Sequence, residues 1–204
     1  KSLRSFSSGE VARFLGVSDG YLRQLSLDGL GPAPALSSGG RRSYTPGQMV
    51  ELREWLAAQR PKEALSFLPR RRPGEKLQIV AVANFKGGSA KTTTALYLSQ
   101  FLALQGYRVL AIDLDPQASL SAMFGYQPEF DIGENETLYG AIRYDEQRRP
   151  LADIVRRTYF AGVWLVPGNL ELMEFEHQTP RAMAERSLRG GDIFFRRVAS
   201  AVAE

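Results

Sequence analysis

Cysteine is absent from the 204 residues, and histidine occurs once, as His177. The first absence excludes disulfides, zinc fingers and cysteine-held iron–sulfur clusters. The second leaves no histidine pair to hold a metal, so His177 is expected on a solvated surface. No apolar run approaches the roughly 20 residues a membrane helix needs, and no secretory signal pattern is present. What remains is an ordinary globular composition, 44% hydrophobic and 24% charged. The length suits one or two domains with a real core. The chain starts at Lys1 rather than Met, as a fragment or a processed chain would. Charge is uneven: residues 1–76 hold 13 Lys/Arg against 7 Asp/Glu, and residues 77–204 hold 13 against 15. A basic front and a near-neutral back put any nucleic-acid surface mainly in the front.

The densest information lies in residues 84–94, Asn-Phe-Lys-Gly-Gly-Ser-Ala-Lys-Thr-Thr-Thr. An apolar, β-branched run from Leu77 to Ala83 precedes it, and a helix-like segment from Ala95 to Leu104 follows. Strand, glycine turn, Lys-Thr and helix is the layout of a phosphate-binding loop. Gly87 and Gly88 let the backbone approach a polyphosphate with its amides turned inward, and the new helix adds its positive end. Lys91 would bring charge to the outer phosphates, and Thr92 a hydroxyl for Mg2+.

Beyond a stop at Gly106, the run from Tyr107 to Ile112 reads as a second strand, ending in Asp113-Leu114-Asp115-Pro116-Gln117. Two strands joined by a helix make a right-handed parallel crossover, with the strand ends facing the ligand. Carboxylates at i and i+2 of an extended segment share one side. Val163 to Leu170 reads as a further strand running into a helix, with Leu170, Met173 and Phe175 as core.

In the front, Ser7-Ser8-Gly9-Glu10 has capping-box spacing, and Val11, Phe14 and Leu15 give one apolar face. Gly16 breaks that helix and Ser18 caps the next, in which Leu22 and Leu25 face inward and Arg23 and Gln24 outward. This is a helix-turn-helix pattern. Gly39-Gly40 signals a hairpin, and Arg41, Arg42 and Tyr44 beyond it suit phosphate contacts at a groove edge. Thr45, Pro46 and Gln48 open a further helix with Met49, Leu52, Trp55 and Leu56 on its apolar face. Residues 61–76, with three prolines and Arg70-Arg71-Arg72, read as a basic connector in which Ala64 to Leu68 can form a helical turn.

The loop, with a second lysine at Lys86 and Phe85 where the ordinary pattern has its first glycine, resembles the deviant Walker A loop of the ParA/MinD superfamily of dimeric ATPases. Asp-Leu-Asp-Pro-Gln resembles that family's second motif, and Pro167-Gly168-Asn169-Leu170 its Pro-x-Asn-Leu turn. The resemblance covers residues 77 to about 177 and implies an α/β fold, a P-loop NTPase-type parallel sheet with flanking helices. It extends nucleotide contact over Lys86, Gly87, Gly88, Ser89, Ala90, Lys91, Thr92 and Thr93. It gives Lys86 a reach across a sandwich dimer to the partner's nucleotide, Asp113 a place in the Mg2+ shell with Thr92, and Asp115 the attacking water. One position departs: the family has glycine where Ala90 stands, and a Cβ there crowds the phosphates or occupies a glycine-only backbone angle. Without cysteine ligands, the cluster-carrying relatives that share this loop are excluded.

The front module resembles the winged helix-turn-helix of MerR-type regulators through Val17-Ser18, Tyr21-Leu22-Arg23 and Arg42-Ser43-Tyr44. The resemblance implies DNA contacts from Arg23, Arg42 and Tyr44, with Ser18, Tyr21, Gln24 and Arg41 beside them. The expected domains are a winged DNA-binding domain over 1–60, the connector over 61–76 and the N-terminal part of an ATPase domain over 77–204. A P-loop ATPase also needs a Walker B strand ending in aspartate, which residues 178–204 do not offer, so the sheet is expected to be cut short and hydrolysis weak. The family implies ATP/ADP and Mg2+ as ligands, with operator and non-specific DNA, a ParB-like centromere-binding protein and a second copy of the chain as partners. It also implies a cytoplasmic, nucleoid-associated bacterial partition protein that does not sit in a membrane. Two rivals stay open: a DNA-binding repressor with a non-functional nucleotide domain, and a MinD-like membrane ATPase with a C-terminal anchor.

Overall fold

Both capping boxes written in the sequence are formed. In this computed structural model, which describes residues 3–175, 177–178 and 195–203, Ser7 caps α1 (Ser8–Leu15). Its hydroxyl accepts from the Glu10 amide while the Glu10 carboxylate accepts from the Ser7 amide. Gly16 ends the helix in the left-handed conformation, φ 71°, which costs glycine nothing. Ser18 accepts from the Tyr21 amide at 3.1 Å and opens α2 (Asp19–Leu27). Thr45 and Gln48 form the second box at the head of α3 (Pro46–Gln59).

The described residues group into two units. The first takes in Lys1–Lys76, Leu98–Val109 and Phe160–Val163. Three short strands, β1 (Phe6–Ser7), β2 (Ala35–Leu36) and β3 (Arg42–Tyr44), form an antiparallel sheet in the order β1-β3-β2. Its core joins Val11, Leu15, Leu22, Leu25, Tyr44, Met49, Leu52, Leu56 and Phe67. Phe67 lies in α4 (Ala64–Phe67), so part of the expected connector enters this core.

The second unit takes in Leu77–Tyr97, Leu110–Tyr159 and Trp164–Glu204. Its buried cluster centres on Leu138, Tyr139, Ile142, Leu151, Ile154, Val166, Leu172 and Phe175. The second sheet runs β4 (Val109–Ile112), β6 (Val163–Val166), β5 (Arg156–Arg157) in space, with β5 antiparallel to β6. The Asp113 amide donates to the Val166 carbonyl at 3.0 Å, carrying the pairing of β4 with β6 past the end of β4. Two expected strands, those ending at Ile112 and Val166, are therefore present.

The third differs. Residues 77–84 form no strand, and Leu77, Ile79, Val80 and Phe85 are exposed. The reason is physical: a strand is stabilised by ladder bonds to neighbours, and an apolar run with high β-propensity stays unpaired without them. The helix after the loop, α5 (Lys91–Leu104), forms as expected. The expectations placed on residues 179–194 lie outside the described residues. Among the described residues no helix is long and apolar enough to cross a membrane.

Candidate functional site

The loop turns on two left-handed residues. Gly88 has φ 69° and Ala90 has φ 60°. The first is free for glycine, whereas an alanine there costs about 1–2 kcal/mol. The Cβ introduced by Ala90 therefore stands at a backbone angle that glycine fills without strain. A Cβ built on Gly87 or on Gly88 meets nothing within 4 Å, so the backbone in front of both is open to a ligand. Asn84 receives the Lys86 amide at 2.9 Å and fixes the entry to the turn. The Lys91 ammonium reaches back to the Lys86 carbonyl at 3.5 Å, which brings both lysines to one loop. The Ser89 hydroxyl oxygen is buried and has no hydrogen-bond partner among the described residues, a position that a bound polar group would satisfy. The Ala90 carbonyl accepts from the Thr94 amide at 2.8 Å, so Lys91, Thr92 and Thr93 occupy the first turn of α5, where amide N–H groups are left for a ligand. These residues fit a polyphosphate.

The aspartates separate. Asp113 is 3% exposed, and both its oxygens are engaged: Oδ2 accepts from the Ser121 amide at 2.8 Å and hydroxyl at 2.7 Å, and Oδ1 from the Asp115 amide at 3.3 Å. Ser121 is itself fully buried on α6 (Ser119–Met123), and its oxygen also accepts from the Gly168 amide at 2.9 Å. Asp115 stays exposed; its Oδ1 accepts from the Gln117 amide at 2.9 Å in a local turn. Asp113 thus holds the turn and Asp115 meets solvent. Sequence reasoning missed Ser121, and only the Asp113 carboxylate in need of donors could have pointed to it.

On the front unit, Arg23, Gln24 and Arg41 are exposed, with Gln24 bonded to Asp28 at 2.7 Å. Ser18 is occupied by its cap, and the Tyr21 ring lies under the Arg60 guanidinium at 4.7 Å. Arg42 is half-buried, and its Nε donates to the Ser26 hydroxyl at 3.0 Å, tying β3 to the end of α2. Tyr44 is only 1% exposed and belongs to the core. Strand alternation explains both, since Arg42 and Tyr44 are two apart and share the inward face. The outward set is Arg23, Gln24 and Arg41. His177 is exposed, as expected. The first unit also holds a cleft of about 370 Å³ lined by Arg4, Phe6, Glu10, Arg13, Phe14 and Gln105, none of them a loop residue.

Residues 77–197 match the family described as AAA domain. The chain is 54% identical over its whole length to a Sinorhizobium fredii protein provisionally named replication protein A, covering 50% of it. It is 36% identical over 55% of its length to the chromosome partitioning protein ParA of Caulobacter vibrioides, covering 40% of that protein. A solved cobyrinic acid a,c-diamide synthase from Mycobacterium smegmatis, with bound ATP analogue and magnesium, is 34% identical over 53% of this chain and 39% of its own, at a TM-score of 0.40. The chain spans about half the length of the curated relatives it matches over its full extent.

Proposed function

The chain belongs to the AAA-domain family, within the ParA/MinD superfamily of deviant Walker A ATPases, and from that premise we propose that it serves plasmid partition as a nucleotide- and DNA-binding protein of the RepA branch. The observation that carries the reading is the loop itself. Gly87 and Gly88 open the backbone, Ser89 lacks a partner among the described residues, and two lysines precede or open the helix. ATP is the ligand of that cradle. Lys91 and the amides of the first turn of α5 take the phosphates. Lys86 serves the nucleotide of a second copy in a sandwich dimer.

Thr92 would hold Mg2+ together with phosphate oxygens, and the ion would supply charge neutralisation. Asp113, whose two oxygens already accept hydrogen bonds from the Ser121 and Asp115 groups, would stand in the outer shell of that ion. Asp115 orients the water that attacks the γ-phosphorus. The new P–O bond forms as the bond to the β–γ bridging oxygen breaks, and the water proton leaves with the phosphate.

The front unit is proposed to act as a winged helix-turn-helix domain. Arg23 and Gln24 of α2 read the groove, and Arg41 contacts phosphate. Operator repression, non-specific nucleoid binding in the cytoplasm and release by a ParB-like partner complete the reading. The test is fluorescent-ATP binding with Mg2+ in wild type and Lys91→Ala, with duplex binding in wild type and Arg23→Ala. Loss of each affinity by about tenfold or more supports it; unchanged affinity in either variant overturns the corresponding half.

One observation favours a second reading, a DNA-binding repressor whose nucleotide domain is only a scaffold: the left-handed Ala90. ATP affinity absent from both wild type and Ala90→Gly would favour it, whereas affinity restored in Ala90→Gly would point to a disabled ATPase.

A further inference from the structure

Arg53 is 2% exposed and carries a charge with no carboxylate against it among the described residues; burial alone bears on it, lowering its pKa to about 10. Its partners are three backbone carbonyls. Nη2 donates to Phe14 O at 2.5 Å, Nη1 to Phe67 O at 2.9 Å, and Leu104 O accepts from Nε at 3.1 Å and Nη2 at 2.7 Å. Phe14 stands one residue from the end of α1, Phe67 ends α4 and Leu104 ends α5. These are last-turn carbonyls, which a helix leaves without donors and which carry its negative end. One guanidinium therefore closes the ends of three helices. Only a planar fork with five donors can serve acceptors in such divergent directions, and a lysine cannot.

The backbone is drawn in tightly around this point. Gly106, just past α5, has φ 94°, and a Cβ on it would stand 2.6 Å from Phe67 O and 3.0 Å from Arg53 Cδ. Helix α5 thus starts at the loop lysine and ends on Arg53. Arg53 in turn sits on α3, which follows β3, and β3 is tied to the end of α2 through Arg42 and Ser26.

Resting on the function proposed above, we infer that Arg53 is the positioning residue that passes a displacement of α5, set by a ligand at the loop, to α1 and α3 and so to the face of α2. A helix of 14 residues is a rod of about 20 Å and moves as a body. A shift of its end either breaks charged hydrogen bonds, which are stronger than neutral ones, or takes α1 and α3 along. Coupling of this kind acts in both directions.

The test is amide hydrogen exchange on the whole chain, with and without Mg·ATP, in wild type and Arg53→Lys. In wild type, ATP slows exchange in the loop and also shifts it several-fold at residues 16–17 and 106–107. In Arg53→Lys the change stops within the loop and the first turn of α5. Equal spread in the two proteins overturns the inference. If Arg53→Lys does not fold, wild type decides: the amides of residues 16–17, 68 and 106–107 must share one opening rate under mild denaturant, and separate rates overturn it. If ATP leaves the wild-type loop unchanged, the nucleotide reading fails. Ala90→Gly then replaces ATP as the disturbance at the same end of α5, and the same two outcomes decide.

Discussion

The Ser121 side chain and main chain both donate to one oxygen of Asp113, at 2.7 and 2.8 Å, and both residues are buried. The same Ser121 oxygen receives the Gly168 amide from the turn after β6. Three segments are held by one hydroxyl. Ser121→Ala removes a donor from a buried carboxylate and leaves a buried amide without an acceptor. The expected cost is about 2–4 kcal/mol of stability, read from urea unfolding. A loss within 0.5 kcal/mol would mean that the hydroxyl does not hold the turn.

Gly168 itself admits no side chain. A Cβ there would lie 3.0 Å from Asp115 O and 3.2 Å from both Asp113 O and Asp113 Cγ. The backbone atoms on that list cannot swing aside, so Gly168→Ala is expected to destabilise by about 1–3 kcal/mol. If the Asp115 turn gives way instead, the thermal midpoint stays and the exchange of the Asp115 and Gln117 amides accelerates.

Ala90 offers the opposite case, a side chain where glycine would be easier. Ala90→Gly removes a left-handed penalty of about 1–2 kcal/mol, partly offset by the added freedom of the unfolded chain. Net stability should rise by up to about 1 kcal/mol, or ATP affinity by up to about fivefold where the strain resists binding. Calorimetric unfolding and a nucleotide titration separate these outcomes.

Glu10 gives a pH signature. The Ser7 amide first, then the Ser7 hydroxyl and the Arg4 guanidinium, hold its carboxyl down to about 2 from an ordinary 4.5. A carboxyl depressed on folding contributes stability above its unfolded pKa and loses it as pH falls from about 4.5 to about 2. Thermal midpoints of wild type and Glu10→Gln should therefore differ at pH 6 and converge toward pH 2. A gap that stays constant with pH would show that the carboxylate charge is not what caps α1.

What the sequence revealed was local. Ser7, Ser18 and Thr45 cap helices through residues three positions away, and Gly16 and Gly40 take the left-handed angles their turns need. The loop and the Asp113–Asp115 turn were legible for the same reason. What stayed hidden depends on distant partners. Residues 77–83 have the composition of a strand, but composition does not supply a ladder. Tyr44 suits a groove-edge phosphate contact by its place after the hairpin, but alternation puts it with Arg42 on the inner face. Arg53 stands four residues after Met49 and three before Leu56, on the buried stripe of α3, and that position was its signal. Ser121 had no such mark, because its bond to Gly168 spans 47 residues.

The uncovered ribbon from Leu77 to Phe85 has a practical outcome at the bench. Ile79, Val80 and Phe85 present oily, β-prone surface to solvent. Such stretches seed edge-to-edge clumping as concentration rises. Preparations of this polypeptide should therefore show light scattering that grows with protein load, and replacing Val80 with lysine should clear it.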